Sequence, residues 1–451
     1  MHLCTAKMKR NRSDIFNRYR VVFLVLCIGL LAINISGYGQ KKTKSDTIQV
    51  SAVVLEEDTI KAQVNFNPTD STVFQKDTIQ DMHNDVSPLD IGSGRGIFIL
   101  SSNQLLQLRI LGSVRANFNF SDQDLVDYQT FNPYYVPTNV EVRSPNFFAG
   151  IEQTRLAFEV TRRTKEMGDA FIRIEGDFKN SSKSYRIRHA YGQMGGVLIG
   201  QTWSLMNNVS FQPAIVSLDG PAGGSGLRTP QIRYSRSFKN KSSMWSAAIE
   251  YSRPDLNIPD SIDGQLLQVI PDFTGRYSYY SDLISFRVSA VVSTISGRLE
   301  TNDISYSFGY GISFSGWTKI SEKSRLYLTL NTGHAVSHFS DMFSGNNEDM
   351  TYNPNNNQFE SLVSYSGFIA YDHTLPKNFS TSLSFGIASI TNHDFQPSEA
   401  YNYSYNALLN LFWEPIKGSR LGMEYAFGQR FDYGGDRGFS NRLSMLMYYD
   451  F

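Results

Sequence analysis

From Leu105 to the C-terminus the chain alternates apolar residues with small or polar ones at a period of two. Along Ser305–Phe314, the residues Tyr306, Phe308, Tyr310, Ile312 and Phe314 share one face, and Ser305, Ser307, Gly309, Gly311 and Ser313 the other. Tyr403–Trp413 repeats this with Tyr403, Tyr405, Ala407, Leu409, Leu411 and Trp413 opposed to Ser404, Asn406, Leu408, Asn410 and Phe412. Side chains along a strand point to opposite sides in turn, so each segment is a strand with one apolar and one polar face. A dozen or more such segments, each of about ten residues, match the signature of a transmembrane β-barrel.

A soluble sandwich also alternates, but its strands usually run about five or six residues. These segments are longer, and aromatics gather at their ends, as in Tyr279-Tyr280, Phe412-Trp413 and Tyr448-Tyr449. The predicted fold is therefore all-β, a 16-stranded antiparallel transmembrane barrel. Its strands centre near residues 112, 157, 174, 190, 199, 234, 247, 274, 287, 310, 328, 366, 385, 408, 424 and 446. Odd connections are mostly long (Ser121–Gly150, Leu205–Arg228, Arg253–Leu266, Ser337–Gln358), whereas even ones such as Gly195-Gly196, Ser281-Asp282 and Ile416–Gly418 are short. That split is expected of short periplasmic turns and long extracellular loops.

Composition fits two unlike faces. Aromatics make up 13% of the 451 residues and charged residues only 19%, yet the mean hydropathy is −0.29. Only Val21–Ile35 is continuously apolar, which excludes a helical membrane protein needing about 20 such residues per span. That run follows Lys7, Lys9, Arg10, Arg12, Arg18 and Arg20 and precedes the small, polar Asn34–Gln40. The order is that of a secretory signal peptide over residues 1–40, cut near Gly39 or Gln40; the alternative is an uncleaved anchor helix. Cys4 and Cys27, the 2 cysteines of the chain, both leave with the leader. Of 42 basic and 42 acidic residues, six and one fall in residues 1–40, so the mature chain carries a net charge of about −5. With no global basic footprint, no nucleic-acid partner is expected. Residues 41–95 are rich in Thr, Asp, Ser and Gln without sustained apolar period, the composition of a flexible periplasmic extension. Residues 96–451 form the barrel domain.

If the apolar face is outward, the lumen receives Arg109, Arg115, Arg155, Glu159, Arg173, Glu175 and Asp177, followed by Arg186, Arg188, Arg233, Glu250, Arg287 and Glu424. Eight arginines against five acids make a basic interior, and rings of Arg or Lys select anions. Folding the third and fourth strands about residues 181–182 sets Asp177 opposite Arg186 and Glu175 opposite Arg188, so those four charges also read as cross-strand braces. Arg155, Arg173 and Arg233 have no obvious opposite acid and carry more weight as solute contacts. The connection Leu205–Arg228 is more apolar than an exposed loop needs. Ala214-Ile215-Val216 would pack inside and narrow the barrel, with Asp219 and Arg228 facing the lumen. The other reading lays this loop across the mouth or onto a neighbouring subunit.

No catalytic constellation stands out, and neither a cofactor nor a metal is expected. His334 and His338 are four apart in a strand-to-loop region, where that spacing does not share a face, and read as a solvated pair. The glycines of Gly92–Gly96 and Gly220–Gly226 lack the strand-loop-helix context that cradles phosphate.

Thr154-Arg-Leu-Ala-Phe-Glu159, Arg188-His-Ala-Tyr191, Gly200-Gln-Thr-Trp-Ser204, Leu218-Asp-Gly-Pro221 and Pro230-Gln-Ile-Arg-Tyr234 resemble the motifs of DcaP-like outer-membrane porins, in a Bacteroidetes-type version. The resemblance runs from about Arg95 to Phe451. It implies a 16-stranded barrel, a homotrimer, and passage of small anionic solutes such as dicarboxylates past basic residues at a constriction. The terminal Phe451 resembles the signal read by the outer-membrane barrel assembly machinery. Residues 41–95 lack the apolar heptads of the coiled coil found in some members, and the loops after Asn331 share no motif with the family. The leading expectation is a passive porin in the outer membrane of a Gram-negative bacterium, in contact with lipid. The alternative is a non-conducting barrel acting as adhesin or receptor through Ser121–Gly150 and Ser337–Gln358. A third reading is an outer-membrane hydrolase whose triad is assembled from distant strands.

Overall fold

The computed structural model describes residues 96–451 except 102–104, 124, 126, 165–167, 241, 258–263 and 300–303. The signal peptide and the 41–95 extension read from the sequence lie outside the described residues. Sixteen strands form the wall: β1 Leu106–Ser121, β2 Arg155–Arg162, β3 Ala170–Asp177, β4 Arg186–Met194, β5 Val197–Trp203, β6 Arg228–Ser237, β7 Ser243–Glu250 and β8 Asp272–Tyr280 make one half. The other half is β9 Ile284–Leu299, β10 Ile304–Ser321, β11 Ser324–His334, β12 Val363–Thr374, β13 Phe379–Thr391, β14 Tyr401–Trp413, β15 Ser419–Asp432 and β16 Arg437–Asp450. Every strand is antiparallel to the next, and β16 closes on β1 through Ser113↔Asp450 to Ser121↔Arg442. All sixteen sequence-derived centres fall inside these strands. Closure leaves no sheet edge in lipid, where an unpaired backbone group costs several kcal/mol, on the order of a full desolvation penalty.

The alternation becomes two environments. In β10, Phe308 is 59% exposed on the outer surface while Ser313 is 4% exposed inside. Outer aromatics stack near both rims, Tyr403 on Phe431 toward the loops and Phe379 on Trp413 toward the turns, as the girdles of outer-membrane barrels do. The turn Gly195-Gly196 joins β4 to β5 in two residues, with Gly195 at φ 58, the left-handed conformation that tight hairpin turns require. Two short strands extend the wall around β1. Asn146–Gly150 pairs with its upper part and Ile97–Leu100 with its lower part. Phe451 exchanges both backbone hydrogen bonds with Gly112.

The lumen of the β9–β16 side is filled by folded loops. Leu125, Phe131 and Val136 of the first loop pack with Ile215 against Leu408 and Ala426 of the wall. Met342 and Phe343 pack with Ala222 against Ala388, Ile390 and Tyr401. Met206, Val336 and Phe339 pack against Val291. These apolar clusters lie inside the barrel, which is why the long connections are less polar than solvent-exposed loops.

Candidate functional site

The loop joining β5 to β6 runs along the inner wall. Its start is held by Glu250, whose Oε1 accepts from the Leu205 amide at 2.9 Å, and by Ser289, whose hydroxyl donates to the Leu205 carbonyl at 2.7 Å. Its middle crosses to the far strands. There Ser382 donates to the Ala214 carbonyl at 2.7 Å, and the Val216 amide donates to Asn410 Oδ1 at 3.0 Å and Glu424 Oε2 at 3.2 Å. The return is pinned where the Ala222 amide donates to Asn406 Oδ1 at 2.9 Å and Asn331 Nδ2 donates to the Gly223 carbonyl at 2.9 Å. Gly386 lets Ala222 lie against the wall, because a Cβ at 386 would collide with the Ala222 backbone. Ala214-Ile215-Val216 thus lie within the barrel, in the inner of the two placements open to them.

Between this loop and the β2–β6 wall lies a cavity of about 760 Å³. Every strand residue that lines it falls between Phe148 and Arg228, so the open space is displaced toward one side of the barrel. Arg155 from β2, Arg186 and Arg188 from β4, and Arg228 at the start of β6 give it a basic wall. The facing loops contribute Asp127, Asp219 and Asp341, with Lys179 beside them.

The arginines differ in what holds them. Arg186 makes two 2.8 Å bonds to the Asp177 carboxylate. Arg188 reaches Glu175 and Asp177, each at 3.1 Å. Arg228 has no carboxylate within ion-pair distance among the described residues and instead stacks over Trp203, 4.5 Å from the ring centre. Burial pushes the Asp341 carboxyl up to about 7, reinforced by the nearby charge of Asp219, while the Gly226 amide donates to it at 2.8 Å. Asp219 is likewise raised, by burial and then by Asp127. Asp127 is held below the usual carboxylate range despite its burial, because Lys179 pairs with it at 3.2 Å.

Several expectations change. Arg173 does have opposite acids: it pairs with Glu159 at 2.6 Å and with Glu175, and Arg109 pairs with Glu159 at 3.1 Å. The register explains it, since Glu159 sits directly between Arg109 on β1 and Arg173 on β3. A bulge between Glu175 and Gly176 sets Glu175 opposite His189 rather than Arg188, yet the Arg188 side chain still spans the offset. Arg233 hydrogen-bonds Gln231 Oε1 at 2.9 Å and the Trp203 carbonyl, and lines a separate cleft of about 20 Å³ with Arg276. Arg115 donates to Ser113 at 2.8 Å and stacks on Tyr448. His334 and His338 are not a solvated pair. His338 is 1% exposed, with Nδ1 2.7 Å from Asp349 and Nε2 2.9 Å from Ser252, and His334 stacks on Tyr310.

Arg276 and Arg442 are buried inward arginines that the sequence reading passed over. Both sit in the polar phase of clean alternations, Thr274-Arg276-Ser278 and Ser440-Arg442-Ser444, and that phase was the signal. Asp127, Lys179 and Asp341 lie in connections with no periodicity to mark them.

Comparison with known proteins adds the family. The family model described as DcaP outer membrane protein matches residues 130–451. The chain belongs to the DcaP outer membrane protein family. Among solved structures, the DcaP outer membrane channel of Acinetobacter baumannii superposes with a TM-score of 0.68 at 20% identity, covering 78% of this chain and 99% of that one. An anion-selective porin from Comamonas acidovorans gives a TM-score of 0.53 at 11% identity, over 77% of this chain and 100% of the other. These likenesses show a shared porin fold. No curated protein sequence matches the chain. For this DcaP-family barrel the shared architecture is an outer-membrane channel of porin type.

Proposed function

We propose that this DcaP-family protein is a water-filled channel for passive diffusion of small, preferentially anionic solutes, including dicarboxylate-like ones, across the outer membrane. The observation that carries the reading is Arg228. It is a guanidinium with no carboxylate within ion-pair distance among the described residues, stacked over Trp203 and lining the cavity with Arg155, Arg186 and Arg188. An uncompensated cation in a confined polar space attracts a mobile anion. Arg155, Arg186 and Arg188 would add to this field, while Arg173, Glu175, Asp177 and Arg109 brace the wall and Arg115 and Arg233 line its inner face. Asp219 from the β5–β6 loop and Arg228 from the wall where that loop ends would form the constriction.

A homotrimer is supported by the wall itself. Strands β2 to β8 have 7 to 10 residues each, whereas β9 to β16 have 11 to 18. Eight residues at about 3.3 Å, tilted by roughly 40°, reach about 20 Å, short of an apolar band of about 25 Å. A neighbouring copy covering that side would remove the mismatch. Export by a cleaved leader and insertion through recognition of the Phe451 strand complete the reading.

Purified full-length protein in planar lipid bilayers tests it. Stepwise conductance is expected, with an anion preference in salt gradients. Silent insertion together with loop-dependent surface binding would instead favour the adhesin or receptor.

A further inference from the structure

The two ends of the β10–β16 wall differ in charge. At the loop end, the connections β11–β12, β13–β14 and β15–β16, residues 335–362, 392–400 and 433–436, contain acids and no lysine or arginine. At the turn end, the connections β10–β11, β12–β13 and β14–β15 each present one exposed lysine: Lys323, Lys377 and Lys417. The acids of those turns are engaged by other cations, Glu322 by Lys319 at 2.7 Å and Glu414 by Arg420 at 3.8 Å. Among the described residues, none of the three lysines has a carboxylate within ion-pair distance. The turns are also tied to one another. The Thr374 amide donates to the Lys323 carbonyl at 2.8 Å, and the Glu414 amide donates to the Asn378 carbonyl at 3.0 Å, so the lysines stand in one row along the rim. Next to that row lies the outer aromatic belt: Tyr371 and Trp413 are exposed on the outer surface, and Phe379 stacks on Trp413 with ring centres 5.8 Å apart. Ile416, beside Lys417, is 63% exposed.

We propose that the row Lys323, Lys377 and Lys417 is a docking surface for anionic phospholipid of the periplasmic leaflet, which it gathers around β10–β15 in preference to zwitterionic lipid. Aromatic belts settle at headgroup depth, and the lysines lie just beyond this one, where an ammonium reaches the phosphate layer while its stem stays on apolar surface. The acyl chains then run along the outward apolar columns of the same strands. Attraction between a lysine and an anionic lipid surface adds over neighbouring residues and is screened by salt. Hydration of the turns requires charge of neither particular sign, so the segregation of charge by end is the observation that points to an anionic surface. The proposal is independent of which solutes the channel passes.

The test uses the full-length protein carrying Trp245→Phe, which removes the exposed indole on β7 and leaves that of Trp413 beside the row. The protein is reconstituted in mixed bilayers of phosphatidylglycerol and phosphatidylcholine in which one lipid or the other is brominated. Quenching of the indole then gives the ratio of the two lipids beside it. At low salt the ratio is expected to favour phosphatidylglycerol roughly threefold or more over the bulk mixture, and to fall toward the bulk value as salt is raised. The triple variant Lys323→Gln, Lys377→Gln and Lys417→Gln should bring it to the bulk value at low salt as well. A bulk ratio with all three lysines in place overturns the proposal. So does a ratio unchanged in a triple variant that keeps its β-sheet circular dichroism. Should that variant not fold, the salt series on the parent decides, because a preference that salt leaves unmoved overturns the proposal too.

Discussion

Glu424 on β15 and Val216 in the β5–β6 loop are joined across the lumen, the Val216 amide donating to the carboxylate at 3.2 Å. The same carboxylate accepts from the Ser217 amide at 3.3 Å and from the Ser217 hydroxyl. Three donors on one buried acid fix the loop that borders the cavity. Glu424→Ala should leave the two amides without that acceptor, at a cost on the order of 1–3 kcal/mol. Single-channel records of this variant are expected to show higher and noisier conductance than wild type. An unchanged, quiet channel would mean the apolar packing of Val216 on Phe412 and Leu446 holds the loop alone.

A wedge at the other end of the loop should act in the opposite sense. Gly386 faces the Ala222 backbone with no room for a Cβ, so Gly386→Val pushes the loop off the wall and toward the open side. Conductance is expected to fall while the barrel still folds, because the outward neighbours Phe385 and Ile387 are untouched.

Arg228 and Arg173 separate selectivity from bracing. Arg228→Gln should move the reversal potential toward zero and leave thermal stability nearly unchanged, since no ion pair among the described residues is lost and only the stacking on Trp203 is weakened. Arg173→Gln removes a partner of both Glu159 and Glu175 and is expected to destabilise by roughly 1.5–3 kcal/mol, with selectivity preserved. Melting followed by circular dichroism and reversal potentials on the same preparations decide the assignment.

The pH dependence follows from Asp341, whose carboxyl is pushed up to about 7 by burial and by Asp219. A raised acid is neutral below its pKa and charged above it, so the cavity gains negative charge as pH rises from about 6 to about 8. Anion preference should decline over that interval, and Asp341→Asn should flatten the decline. A preference that grows with pH would contradict the assignment.

How far the sequence carried this picture depends on periodicity. Strands such as β10 and β14 were legible because Tyr306 to Phe314 alternate without a break and Tyr403 to Trp413 keep every outward position apolar, with only Leu408 and Phe412 apolar on the inner face. The inward arginines followed from the same phase. The Asp177–Arg186 pairing and the inward placement of Ala214-Ile215-Val216 were legible too; what escaped was the rest of the register and the placement of the loop after β11. Arg173 finds Glu159 on the adjacent strand, a relation that no single segment displays. The bulge at Gly176 shifts Glu175 by one residue without altering the pattern on either side. Asp341 reaches the cavity from the loop after β11 because Met342 and Phe343 beside it bury against the wall, a tertiary event with no local signal.

The reversal potential of the wild-type channel across a potassium chloride gradient tests the central claim most directly. An uncompensated Arg228 on a basic wall predicts a potential of the sign that marks chloride as the more permeant ion, reduced in Arg228→Gln. A potential of the opposite sign, or one that Arg228→Gln leaves unmoved, would contradict the account.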